Sequence, residues 1–134
     1  MIYWKKEYEV GIPLIDEQHE KLFEIAARAY SLLKNEFLED KFDMMTAIIH
    51  ELQDYTVFHF ETEENYMEEI GYRKLFSHKV MHAEFVKKIY SVDFEAMDDD
   101  QEGHILAILE MVVAWIEHHI LTKDTLYAAE RPGV

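Results

Sequence analysis

Two residue pairs inside the stretch Thr56–His82 have the types and spacing to do chemistry. His59 and Glu63 are four apart, and so are His78 and His82. On an α-helix, residues at i and i+4 stand one above the other on the same face. If the pairs lie on neighbouring helices, three imidazoles and a carboxylate converge on one point. Inside a helical protein that is a metal-site pattern.

Composition limits what such a site can be made of. The chain has 134 residues, fits one domain, and is 49% apolar, as a globular core requires. It has no cysteine, which excludes disulfides, iron–sulfur clusters and thiolate zinc sites. Any metal must therefore be held by histidine, carboxylate and water. The net charge of −15 and pI near 4.8 argue against nucleic acid and against anionic membrane surfaces as partners. No apolar run approaches the ~18–20 residues of a membrane helix, so no membrane contact is expected. The opening MIYWKKEYEV has no apolar signal-peptide region, and a cytoplasmic location is expected.

Only four Gly and two Pro interrupt the chain, which favours a few long helices and an all-α fold. Residues 1–15, with Gly11 and Pro13 and no helical period, read as an extended N-terminal arm pinned by Trp4, Val10 and Ile12. Asp16 is the expected cap of a helix over about 17–37, whose apolar face is Leu22, Ala26, Ala29, Leu33 and Phe37, with His19 on the same face. After a loop at Glu39 and Asp40, with Asp40 as a cap, a second helix is expected over about 41–69. Its inner stripe is Met45, Ile48, Leu52, Tyr55, His59, Glu63 and Met67, and Gly71 stops it. His50 falls off the stripe, and Glu61 and Glu64 are assigned to water. A third helix over about 74–93 carries His78, Met81, His82, Phe85 and Ile89 on one face. The residues between its histidines are Lys79, Val80 and Met81, so the acid of a zinc-protease motif is missing.

After the acidic run Asp98–Asp100, a fourth helix is expected over about 101–129, with Pro132 beyond it. It is apolar nearly all round, through either deep burial or a subunit contact, and the chain is expected to be a monomer or a weak homo-oligomer. His104 reads as a surface residue. His119 continues the steps of Val112 and Ile116, which favours it over His118 as the inward histidine. Asp124 follows at a spacing of five, which on a regular helix lies roughly 140° away. Both residues can face inward only if the helix loosens, so a π-bulge is predicted between them.

These residues together resemble the hemerythrin family. The likeness rests on one histidine on the first helix, HxxxE on the second, HxxxH on the third and HxxxxD on the fourth. It extends to Val10-Gly11-Ile12 with Ile15-Asp16-Glu17-Gln18-His19, to His59-Phe60 with Glu63 and Glu64, to Gly71-Tyr72, and to Trp115 before His119-Ile120. Arg73 departs from the proline often found there, in a loop away from the metal. The resemblance implies an up-down-up-down four-helix bundle as a single domain over 1–134. It also implies two non-heme irons with a bridging oxo or hydroxo group. Their ligands would be His19, His59, Glu63, His78, His82, His119 and Asp124. One iron would take His78, His82 and His119, the other His19 and His59, with Glu63 and Asp124 bridging. On two octahedral metals that set, with a shared bridging oxygen, leaves a single position open, on the iron with two histidines.

The function implied is reversible O2 binding for storage, transport or scavenging. Five histidines with only two carboxylates leave more positive charge on the irons than a carboxylate-rich site does, which favours reversal over oxidation. Peroxide or nitric oxide reduction, or sensing of oxygen or iron, at the same site are the alternatives; no dedicated proton donor beyond the ligands is apparent. Trp115 and Ile116, a turn before His119, are candidates for a dry pocket wall, and plain core packing explains them equally.

Overall fold

The computed structural model describes residues 4–35, 42–91 and 101–129. Its long helices are α1 (Pro13–Leu33), α2 (Phe42–Glu69), α3 (Leu75–Tyr90) and α4 (Gln101–His119). A five-residue π-helical turn, Ile120–Asp124, joins α4 to the short α5 (Thr125–Ala129). There is no strand among the described residues, and the fold is the expected four-helix bundle with an N-terminal arm. The expected helix ends at Phe37 and Asp93, the loop at Glu39 and Asp40, the start at Lys41, the run Asp98–Asp100 and Pro132 lie outside the described residues.

The start of α1 corrects the sequence reading. The helix begins at Pro13, four residues before Glu17, with Ile12 and not Asp16 in the capping position. Proline at the first helical position has its backbone angle preset, and the N–H it lacks has no helical partner anyway. Asp16, within the first turn, accepts hydrogen bonds from the backbone N–H groups of Val10 (2.7 Å) and Gly11 (3.1 Å). It thereby ties the arm to the positive end of the helix. Gly11 has φ 88°, a left-handed conformation that favours glycine.

The arm is not fully extended either. Lys6–Tyr8 form a 3-10 turn. Trp4 and Val10 pack on the core as expected, and Ile12 on a smaller cluster. Tyr8 in the arm is buried; its ring stacks on Phe23 (5.1 Å between centroids) and its hydroxyl donates to Glu117 (2.7 Å).

Gly71 stops α2 as predicted, through a left-handed φ of 66°. The N–H of Tyr72 bonds the carbonyl of Met67 (2.9 Å) and the N–H of Gly71 that of Glu68 (3.1 Å), the Schellman arrangement. The accompanying apolar contact is a buried cluster of Met67, Tyr72 and Tyr127, which closes one end of the site. Along α2 the buried stripe is wider than expected. Ile49, Gln53, Thr56 and Phe60 are buried, while Ile48 and Tyr55 flank them half-buried.

Ile105, Leu109, Val112, Ile116 and Ile120 form the buried face of the last long helix. Leu106, Ile108, Met111 and Val113 flank it half-buried. Within Gly103–Tyr127 an 18-residue window reaches a mean hydropathy of 1.6, so this stretch is long and apolar enough to cross a membrane by length and composition. This corrects the expectation that no stretch reaches that length: Glu110 and Glu117 are its only charges before Lys123. The inner side of the same stretch builds the bundle core and carries His119 and Asp124.

Among the described residues, ten polar or charged ones are buried in this core, and seven of them are His19, His59, Glu63, His78, His82, His119 and Asp124. Groups of this kind cost several kcal/mol to bury unless they are paired or bind a cation, so their concentration in one place marks the functional site.

Candidate metal centre

The π turn brings the last two residues of the set together. It spans Ile120–Asp124, as the five-residue spacing required, and leaves both His119 and Asp124 buried. His119 Nε2 lies 3.2 Å from Asp124 Oδ1.

All seven candidate residues converge, in two groups. His78, His82 and His119 form one, and His19, His59 and Glu63 the other, with the potential ligand atoms of each group within 4.8 Å of one another. In the first group His82 Nε2 and His119 Nε2 face each other at 3.2 Å. In the second, His59 Nε2 is 2.6 Å and His19 Nε2 4.0 Å from Glu63 Oε1. Asp124 stands between them: Oδ1 faces His119 and His78 (3.2 and 3.4 Å), and Oδ2 faces His19 (3.2 Å). Of the remaining histidines, His50, His104 and His118 are exposed, as expected.

The atoms that meet here are poorly satisfied by one another. His19 Nε2, Glu63 Oε1 and Asp124 Oδ2 are buried and, though they lie within 2.6–4.0 Å of groups of the opposite kind, none has the geometry of a hydrogen bond, at a cost of up to about 1–3 kcal/mol each if nothing else binds them. A cation between them removes that cost. Imidazole nitrogen and carboxylate oxygen are donors suited to iron, so the residues present fit a pair of iron ions.

A surrounding layer holds these side chains in place, and most of it was not foreseen. Gln18 Oε1 accepts from His59 Nδ1 (2.8 Å), and its amide nitrogen donates to Thr62 (3.3 Å). Glu64 accepts from His82 Nδ1 (2.9 Å), which corrects its assignment to water; Glu61 is exposed as expected. The buried Tyr127 hydroxyl donates to Glu63 Oε2 (2.6 Å), so a proton-bearing group beyond the ligands is present after all. Phe60 lies flat on His82 (3.8 Å, 4°) and Trp115 flat on His119 (4.5 Å, 11°).

Trp115 thus packs on the three-histidine group and, with Met81, Lys88 and Lys123, lines a surface cavity of about 140 Å³. It does not wall the His19–His59 side. Ile116 is a buried core residue, and on the His19 side an arm ring, Trp4, lies at 6.4 Å. A signal for the missed residues exists only in hindsight of the fold. Gln18 and Glu64 each adjoin a candidate ligand in sequence, about 100° round the helix, and so point at the neighbouring helix.

The electrostatics of these side chains follow from this crowding. Burial opposes charge on His19, but Asp124 and Glu63 outweigh it and raise its pKa to about 9. Burial keeps His59 below its ordinary value despite Glu63. Burial also opposes ionisation of Glu63, yet His59 and His19 hold it well below the usual carboxylate range. Asp124 is lowered in the same way: burial and Glu63 oppose its charge, and His119, His19 and His78 overcome them. Tyr127 is pushed well above the usual phenol value by burial and by the carboxylates Glu63 and Asp124.

Comparison with known proteins agrees with this architecture. Residues 10–130 match the family model described as the hemerythrin HHE cation binding domain, and the chain belongs to the hemerythrin family, known for non-heme iron and oxygen binding. It is 51% identical to a bacteriohemerythrin of Clostridium acetobutylicum over 127 residues, covering 95% of this chain and 98% of that protein. It is 31% identical to a bacteriohemerythrin of Stenotrophomonas maltophilia, covering 96% of this chain and 80% of that one. The fold superposes on a crystal structure of a hemerythrin mutant with a TM-score of 0.76 at 21% identity, over 97% and 96% of the two chains.

Proposed function

We propose that this chain, as a single hemerythrin-like domain over 1–134, binds O2 reversibly at a pair of non-heme irons. The irons would be held by His19, His59, Glu63, His78, His82, His119 and Asp124. One observation carries the reading: the two oxygens of one buried carboxylate, Asp124, face two different groups of ligand atoms. That is the arrangement of a bridge between two metals. Three histidines lie on one side of it and two on the other, so an ion on the His19–His59 side would have fewer protein ligands and could take a small one.

When bound, the diferrous pair supplies the two electrons that hold O2 reversibly. The chain does the rest. Glu63 and Asp124 compensate the charge of the cations, and Gln18 and Glu64 fix the orientation of His59 and His82. Burial of all seven candidate side chains excludes bulk water from around the site.

The Tyr127 hydroxyl donates to Glu63 Oε2, while His59 and His19 face Oε1, which supports a role in holding Glu63 over one in protonating a substrate. For that reason carriage ranks above peroxide or nitric oxide reduction. The test is the optical spectrum of the iron-loaded, reduced protein before air, after air and after O2 is removed. A band that appears with O2 and disappears on its removal is expected. Steady consumption of peroxide or nitric oxide establishes the enzymatic reading instead, and a zinc-only protein with no optical response to O2 refutes both.

A further inference from the structure

We infer that Glu64 and Gln18 make the two halves of the metal site unequal, so that the His78–His82–His119 half binds its ion first and more tightly. This rests on the two-metal reading above and deepens it.

The observation is an asymmetry outside the ligand set. One histidine in each half offers its far ring nitrogen to a neighbouring helix. His82 Nδ1 meets a carboxylate, Glu64, at 2.9 Å, and His59 Nδ1 meets a neutral amide, Gln18, at 2.8 Å. The geometries match, so the difference between them is charge. A carboxylate on the far N–H pushes electron density into the imidazole and strengthens its bond to a metal more than an amide does. The side chain of Glu64 is 22% exposed, so part of its charge is screened, but its contact with a 2%-exposed histidine is on the protein side.

Preorganisation favours the same half. The rings of His82 and His119 are clamped face to face by Phe60 and Trp115, and ligands already held in position lose less entropy on binding. In the other half, His19 Nδ1 has no hydrogen-bond partner, no ring among the described residues is stacked flat on His19, and its Nε2 faces only carboxylates that would themselves hold the metal. The consequence is an ordered site. The half with three histidines is filled whenever any metal is bound, and the half with the open position is the one from which an ion is lost.

The experiment uses the metal-free full chain titrated with Co²⁺ alone, followed by visible absorption and calorimetry. Two binding steps are expected, and His19→Gln, which acts on the second half, identifies the weaker one. Glu64→Gln keeps a hydrogen-bond acceptor and removes the charge. It should weaken the tighter step by roughly 10- to 100-fold and leave the weaker step in place. Gln18→Glu should strengthen the weaker step by a similar factor. A purely structural role for Glu64 predicts no change in Glu64→Gln, because glutamine preserves the contact. Two Co²⁺ ions bound with Glu64→Gln leaving both steps unchanged, or weakening both equally, overturns the inference and leaves the two-metal reading intact. Uptake of a single Co²⁺ by the parent chain overturns both.

Discussion

Tyr127 shows how far the behaviour of one residue depends on its neighbours. Its hydroxyl is the hydrogen-bond donor to Glu63 Oε2, a carboxylate with no access to solvent. Tyr127→Phe removes that donor and leaves the oxygen buried and unpaired. The metal-free chain should lose about 1.5–3 kcal/mol, the range for a hydrogen bond to a charged group, measured as urea unfolding; a loss under about 0.5 kcal/mol contradicts the contact. The histidines give a pH profile with a definite sign. His19, raised to about 9, binds its proton more tightly folded than unfolded. Its contribution is complete below the ordinary value of 6.5 and disappears as pH rises through about 9. His59 is lowered, so folding weakens as pH falls below 6.5 and the unfolded chain takes up a proton that the folded one refuses. Glu63 and Asp124 are also lowered; their contribution is present above the ordinary carboxylate values and is lost as pH falls through the lower folded ones. The metal-free protein should therefore be most stable near pH 6.5 by urea midpoint. His19→Gln should flatten the alkaline side, and an unchanged alkaline slope in that variant contradicts the assignment.

At the scale of elements, the π turn decides whether the site exists. With a regular helix from His119 onward, Asp124 would point roughly 140° away and the carboxylate between the two histidine groups would be absent. Deleting the exposed Leu121 shortens the spacing to four, which an ordinary α-helix satisfies. This variant should still take up two Co²⁺ ions and should have a regular helix through the former Ile120–Asp124 segment, checked by metal stoichiometry and amide hydrogen-bond couplings in NMR; loss of metal uptake contradicts the geometric role given to the turn. The turn was legible because the HxxxxD spacing conflicts with helical geometry, and a conflict between two ligands on one helix can be read along a single chain. The histidine pairs were legible for the same reason. Gln18, Glu64 and Tyr127 were not, because each acts across a helix–helix contact whose register depends on how whole faces pack. The beginning of α1 was misread locally: Asp16 suits a cap, but Pro13 already starts a helix, and Asp16 bonds backward to Val10 and Gly11 from inside it.

For the molecule as a whole, the bundle places a polar, metal-fitting interior between apolar clusters. The buried aromatic layer with Phe23, Phe60 and Phe85 lies on one side, and Met67, Tyr72 and Tyr127 on the other. An arm carrying Trp4 and Tyr8 covers the side of His19. We propose that this interior holds two irons that bind O2 and give it back. The most direct test is gas uptake by the reduced, iron-loaded chain in a closed cell, followed by purging with argon. Uptake of one O2 for each pair of irons and its return on purging, over repeated cycles, is expected. Uptake without return, or no uptake by a chain carrying its full iron, would contradict it.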